Sequence, residues 1–175
     1  MTEKQENIVN AALKLFAEEG YKSTSTSKVA KEAGVSEGLI FRHFGNKEGL
    51  LQAIMKLGEE QANVMLADIV AETDPKTLLR KYLDLSLKIC KDQDAIDFWK
   101  LQFKIKWELE VYGEHKLEAL QEALVKTFEK LRYNHPRQEA NLLLTLMDGM
   151  ATRLMLQKNY DIEESIAFLK SKYKL

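Results

Sequence analysis

The sequence predicts an all-α protein of about nine helices, and three observations carry that prediction. Apolar residues recur every third or fourth position in successive stretches, the spacing of one face of a helix. Only 2 prolines and 8 glycines interrupt 175 residues, which leaves room for long helices. The run from Thr24 to Lys47, TSTSKVAKEAGVSEGLIFRHFGNK, holds two helical patterns separated by Gly34, the arrangement of a helix-turn-helix.

Helix one is expected from Glu3 to Glu19, with Thr2 and Gln5 as a capping box. Ile8, Ala12, Leu15 and Phe16 share one face of it and should pack on the helix-turn-helix. Helix two starts near Thr26 with Ser25 as cap, and Val29, Ala30 and Ala33 form its apolar face. Gly34 can take the left-handed conformation that ends a helix, and the small Ala30 lets two helices cross steeply. Helix three follows a Ser36 cap, with Leu39, Ile40, Phe41 and Phe44 on its buried side and Gly45 as its stop. Helix four runs from Lys47 to about Glu72, capped by Asn46, with Leu50, Ile54, Leu57, Gln61, Val64 and Ile69 in one stripe. At 1.5 Å per residue it would reach roughly 40 Å, with no flexible linker after it. Asp74-Pro75 marks the next start, a cap followed by proline in the first turn. Helix five is then expected over about Pro75 to Lys91, and helix six over about Ala95 to Tyr112, between an Asp94 cap and Gly113. Helix seven follows from about Glu114 to Arg132, and helix eight from Pro136 to about Lys158. Helix nine follows Asp161, which forms a capping box with Glu164.

Composition narrows the class. With 45% apolar and 30% charged residues the chain reads as an ordinary globular protein with ample core. The single Cys90 excludes an intrachain disulfide and fits a reducing compartment. Thr2 to Asn7 are too polar for a signal peptide, and the longest apolar run, Leu142 to Met147, is too short to span a bilayer. A cytoplasmic location is therefore expected. The net charge is −1, yet residues 20–47 hold five cations against two carboxylates, a local +3. His43, His115 and His135 are scattered, so no metal site is expected. Neither a glycine-rich phosphate loop nor a nucleophile motif appears, so no catalytic residue and no cofactor is assigned.

At this point a resemblance becomes specific. Gly20-Tyr21, Thr24-Ser25, Val29-Ala30, Ala33-Gly34-Val35-Ser36, Phe41 with Phe44, and Gly45 with Lys47-Glu48 and Leu50 follow in order and without a gap. They resemble the DNA-binding domain of the TetR (tetracycline-repressor) family of bacterial transcription regulators. The resemblance implies a DNA-binding domain over residues 1–46 and a helical ligand-binding and dimerisation domain over residues 47–175. It implies DNA contacts from Thr24, Ser25, Ser27, Ser36, Glu37, Gly38, Leu39, Phe41, Arg42, His43 and Lys47. The starts of helices two, three and four offer N–H groups to phosphate, and Ser25 and Ser36 either share that task or only cap. In the family the position of Leu39 is often threonine and that of Phe41 often tyrosine. Neither residue here has a hydroxyl, so Leu39 offers only apolar contact, for example to a thymine methyl. Arg42 reads guanine or grips phosphate, and His43 touches phosphate. Glu37 accepts from cytosine or is simply a solvated carboxylate in a first turn.

In the remaining helices two stretches stand out. Trp99, Phe103 and Trp107 recur at spacing four beside Phe98, with Gln102 and Lys106 close to the same stripe. The stripe is either core or the wall of an effector pocket with Tyr82, Cys90 and Met147. Lys106 pointing inward favours an anionic or amphipathic ligand; pointing outward, an apolar flat one. Helix eight reads LLLTLMDGMATRLML from Leu142, more apolar than one face requires, so one surface faces inward and another meets a second subunit. Asp148 pairs across that interface, faces a pocket or points to water. The resemblance implies a homodimer through the last two helices, and the short apolar runs imply no membrane partner. Two recognition helices would then sit one turn apart, ~34 Å, on a palindromic double-stranded operator. The expected function is a repressor released by a small apolar or amphipathic effector. A dimeric helical scaffold or ligand-binding protein with a silent DNA head, and a helical enzyme, are the alternatives.

Overall fold

The computed structural model describes residues 1–110 and 117–175, with side chains for all of these except Asp94 and Lys106. Among them nine α-helices and no strand occur. They are α1 Glu3–Glu19, α2 Thr26–Glu32, α3 Glu37–Phe44, α4 Lys47–Val70, α5 Pro75–Ile89, α6 Gln93–Glu108, α7 Glu118–Lys130, α8 Pro136–Leu156 and α9 Ile162–Lys172. The boundaries follow cap chemistry. Thr2 N–H donates to Gln5 Oε1 at 2.8 Å while Gln5 N–H donates to Thr2 Oγ1 at 3.4 Å, which closes the capping box. Asn46 Oδ1 accepts from Gly49 N–H, Asp74 Oδ2 from Thr77 N–H, and Asp161 Oδ1 from Glu164 N–H, all within 2.9 Å. Gly34 and Gly45 hold φ of +66° and +77°, a region where a Cβ is strained.

α6 ends furthest short of its pattern, while α4, α5, α7 and α8 each end about two residues before theirs, at Val70, Ile89, Lys130 and Leu156. α6 stops at Glu108, because the Leu109 N–H makes the last helical bond, to Ile105 O, and Glu110 turns to φ +54°. The expected stop at Gly113 and the expected start of α7 at Glu114 lie outside the described residues. The expected Asp94 cap is corrected: α6 begins at Gln93, which puts Asp94 inside its first turn.

The chain packs as two units. The first holds Met1–Asn63 together with α6; the second holds Val64–Asp92 together with α7, α8 and α9. The boundary at 46 is one of expected roles, whereas packing divides the chain inside α4. In the first unit Ile8, Ala12, Leu15 and Phe16 of α1 are buried with Val29, Ala30 and Ile40 of the helix-turn-helix. Leu101 and Ile105 of α6 join the same core. Phe98 packs there too, against the α4 backbone at Gly58, where a Cβ would overlap its ring. This corrects one reading of the aromatic stripe as core. α6 carries two apolar stripes, and a helix lying on one partner buries only one of them. The aliphatic stripe is buried, Trp99 and Phe103 are half-buried, and Trp107 is 70% exposed.

In the second unit Leu79 and Leu83 of α5, Leu124 and Phe128 of α7 and Leu143 of α8 share a core with Ile166 and Leu169 of α9. The Phe128 ring stands 5.1 Å from Tyr133 and 5.5 Å from Tyr173, which ties the C-terminus to α7. Among the described residues no helix is long and apolar enough to cross a membrane.

The two stripes of α6 make a direct comparison possible. Leu101→Ala should cost about 2–5 kcal/mol of stability, the range for a fully buried leucine. Trp107→Ala should stay within about 0.5 kcal/mol, as surface changes do. Urea unfolding of both variants checks this; the opposite order would show that the aromatic stripe is the packed one.

Candidate nucleic-acid interface

The surface built by α2, the turn and α3 follows from which side chains the core consumes. α3 spends Ile40, fully buried, and part of Leu39, His43 and Phe44 on the α1 side. Its outward side is left with Ser36, Glu37, Gly38, Phe41 and Arg42. Phe41 is 47% exposed, so its expected place on the buried side is corrected. The reason is angular: Ile40 points into the core that α1 shares, and Phe41, one step of 100° on, points away. Ser25 and Ser27 are exposed at the start of α2, on the same unit.

Two hydroxyls depart from expectation. Thr24 is buried to 1% exposure; its Oγ1 donates to the Gly20 carbonyl at 2.9 Å and lies 3.4 Å from that of Leu15. Its hydroxyl closes the carbonyl end of α1, so the side chain is withdrawn from any surface. Ser25 caps as expected, its Oγ accepting from Lys28 N–H at 3.2 Å. Ser36 makes no side-chain cap bond, although the Leu39 N–H reaches its backbone carbonyl at 3.0 Å. The Ser36 hydroxyl and the first N–H groups of α3 therefore face outward together.

The charges sort in the same way. Glu37 Oε1 accepts the Thr26 hydroxyl at 2.6 Å, a bond that joins α2 to α3. Gln5 Nε2 lies 3.3 Å from His43 Nδ1 and ties that ring to α1. Lys28 pairs with Glu19 at 2.6 Å. Lys47, first residue of α4, donates to the Lys22 carbonyl at 3.3 Å and sits 4.5 Å over the Tyr21 ring. Partial burial there lowers its pKa, against the opposing pull of Glu108. Arg42 and Lys31 are exposed, and their side chains make no hydrogen bond or ion pair among the described residues. The arrangement offers a free guanidinium, an aromatic edge, a hydroxyl and a helix start on one side, which suits a polyanion with readable edges.

The residues assigned to a ligand pocket are split between the units. Phe98, Trp99, Gln102, Phe103 and Trp107 belong to the first, while Tyr82, Cys90 and Met147 pack on the core of the second. Lys106 lies outside the described side chains. Burial pushes the Tyr82 phenol far above its usual pKa, with the Asp148 carboxylate adding to the shift. Among the described residues no group of acidic, histidine and cysteine side chains could hold a metal ion. Sequence reasoning missed Glu108, which binds the loop between α1 and α2; a lone carboxylate late in an amphipathic helix carries no local signal of its partner.

Comparison with known proteins agrees with the head. Residues 8–54 match the family model described as bacterial regulatory proteins, tetR family. The chain is similar to an uncharacterized HTH-type transcriptional regulator, YuxN of Bacillus subtilis, with 34% identity over 59% of this chain. That alignment spans 35% of the relative, so the chain covers about a third of its length. The HTH-type transcriptional repressor AcnR of Corynebacterium efficiens is 28% identical over 86% of this chain and 81% of its own. In fold the chain is similar to a transcriptional regulator from Saccharomonospora viridis solved in complex with choline. Its TM-score is 0.81 at 19% identity, covering 98% of this chain and 95% of that one.

Cap geometry separates the two serines. Ser25→Ala should cost about 1 kcal/mol, the usual loss for an N-cap. Ser36→Ala should cost less than about 0.5 kcal/mol, because no cap bond is removed. Denaturant unfolding of the two variants reads the difference, and equal losses would show that Ser36 caps after all.

Proposed function

The head of this chain is that of the TetR family of bacterial regulatory proteins, and from that premise we propose that the protein is a dimeric transcriptional regulator, most simply a repressor. The observation that carries the reading is the outward side of α3. It presents Arg42, Phe41, Gly38 and Ser36 while Glu37 is bonded to Thr26 of α2 and His43 to Gln5 of α1. A recognition helix in the major groove needs such a side, with few internal bonds to break on contact. Arg42 is the base reader or phosphate grip, Phe41 and Leu39 supply apolar contact, and Ser25, Ser27 and Lys47 meet the backbone. Glu37 and His43 act by holding α2, α3 and α1 together. A cytoplasmic setting goes with access to DNA.

Dimerisation is proposed through α8 and α9. Leu156 is 71% exposed and Phe168 69% exposed on these helices, beside half-buried Leu146 and Leu154. That much uncovered apolar surface favours a second copy. Two-fold symmetry would also give a palindromic operator. For the effector we propose a small apolar or amphipathic molecule held by the α6 aromatics that the core does not bury. It would favour a state in which α4 carries the heads out of register, which works only through unequal affinity for the two states.

Selection from a random duplex pool tests the DNA reading. Wild type should enrich a palindrome, and Arg42→Ala should lose about 1–3 kcal/mol and relax one position of each half-site. No enrichment by folded, dimeric wild type would favour a silent-head scaffold instead. Sedimentation tests the interface: Phe168→Glu should shift the protein to monomer and weaken operator binding, and an unchanged dimer would place the interface elsewhere.

A further inference from the structure

The end of α6 is bonded to the loop between α1 and α2 in a reciprocal way. Glu108 Oε2 accepts from the Lys22 backbone N–H at 3.0 Å, and the Glu108 carbonyl accepts from Lys22 Nζ at 2.7 Å. The Lys22 carbonyl in turn accepts from Lys47 Nζ at 3.3 Å. One continuous chain of bonds therefore runs from the last residue of α6, through the loop, to the first residue of α4. One further observation shows that the loop fits this carboxylate, and another ties the same end of α6 to α1. Gly20, at φ +94°, lies against Glu108 Oε1, and a Cβ there would overlap that oxygen. Lys104, one turn earlier in α6, donates to the Glu18 carbonyl at 2.6 Å, in the last turn of α1.

We propose that Glu108 is a positioning residue for DNA binding: through the Lys22 carbonyl it aims the Lys47 ammonium at the phosphate beside the start of α4. The proposal rests on the DNA-binding reading given above. An ammonium has three donors, and Lys22 uses one of them, which leaves the others for a phosphate. A lysine on a four-carbon stem otherwise samples many rotamers, so fixing its direction raises the chance that contact is made when DNA arrives. The loop bonds are exposed, so their weight in folding is small, and the effect should appear in binding.

The test uses the full chain and the operator that wild type selects. Operator affinity is measured across a series of salt concentrations for wild type, Glu108→Gln and Glu108→Ala, with the melting temperature of each alone. Glu108→Ala should weaken binding about tenfold, the weight of one charge-assisted contact. It should also flatten the dependence of log K on log salt by about one phosphate contact. Glu108→Gln, whose amide oxygen can still accept from the Lys22 N–H, should stay within about threefold of wild type. Wild-type affinity and slope in Glu108→Ala would overturn the proposal. So would a uniform loss with unchanged slope and no recovery in Glu108→Gln, since that pattern belongs to a folding defect. If wild type selects no duplex, the DNA-binding reading itself fails and the role given to Glu108 falls with it.

Discussion

Everything in the first unit depends on α1 being buried from two directions. Its apolar residues Ile8, Ala12, Leu15 and Phe16 share one core with the helix-turn-helix and with α6. α2 and α3 are 7 and 8 residues long, too short to hold helical structure alone. They exist because α1 gives Val29, Ala30 and Ile40 somewhere to be buried. The same helix takes up Leu101 and Ile105, so the sequence-distant α6 becomes part of the head. The turn at Gly34 sets the angle between α2 and α3, but the buried side of α1 decides that the angle is worth keeping.

That constraint also determines what the surface can do. Because α2 and α3 are short and closely packed with α1, nearby polar groups meet one another before they meet anything outside. Thr24 closes the end of α1, Glu37 receives Thr26, His43 meets Gln5, and Lys28 meets Glu19. A local excess of positive charge is therefore a poor guide to how many cations are available. What remains outward is a small set around Arg42, with Lys31 the other exposed cation of this segment whose side chain makes no bond among the described residues. A fixed surface of this kind suits a rigid, regularly spaced polyanion, since little order has to be created on contact.

The second unit works by different means. Its core is closed by the aromatic group of Phe128, Tyr133 and Tyr173, and by the Lys170–Asp84 ion pair at 2.6 Å between α9 and α5. α8 cannot bury all its apolar residues against one set of neighbours, because they extend around more than one face. Uncovered apolar area on α8 is thus a consequence of its own pattern and not of a poorly formed core.

The sequence by itself determined the helices, most of their ends and the turn, because periodicity, caps and a left-handed glycine act over a few residues. The caps at Thr2, Ser25, Asn46, Asp74 and Asp161 and the glycines at 34 and 45 were all legible in that way. Leu101, Phe41, Thr24 and Glu108 were decided only in the tertiary structure. Each has two locally acceptable orientations or partners, and the choice between them is made by an element tens of residues away. α6 could have turned either of its apolar stripes to the core, and α1 received the aliphatic one. Thr24 stands where a surface hydroxyl would be expected, and the open carbonyls at the end of α1 drew it inside. Glu108 found the Lys22 N–H 86 residues away in the chain, a distance over which no local pattern can announce a bond.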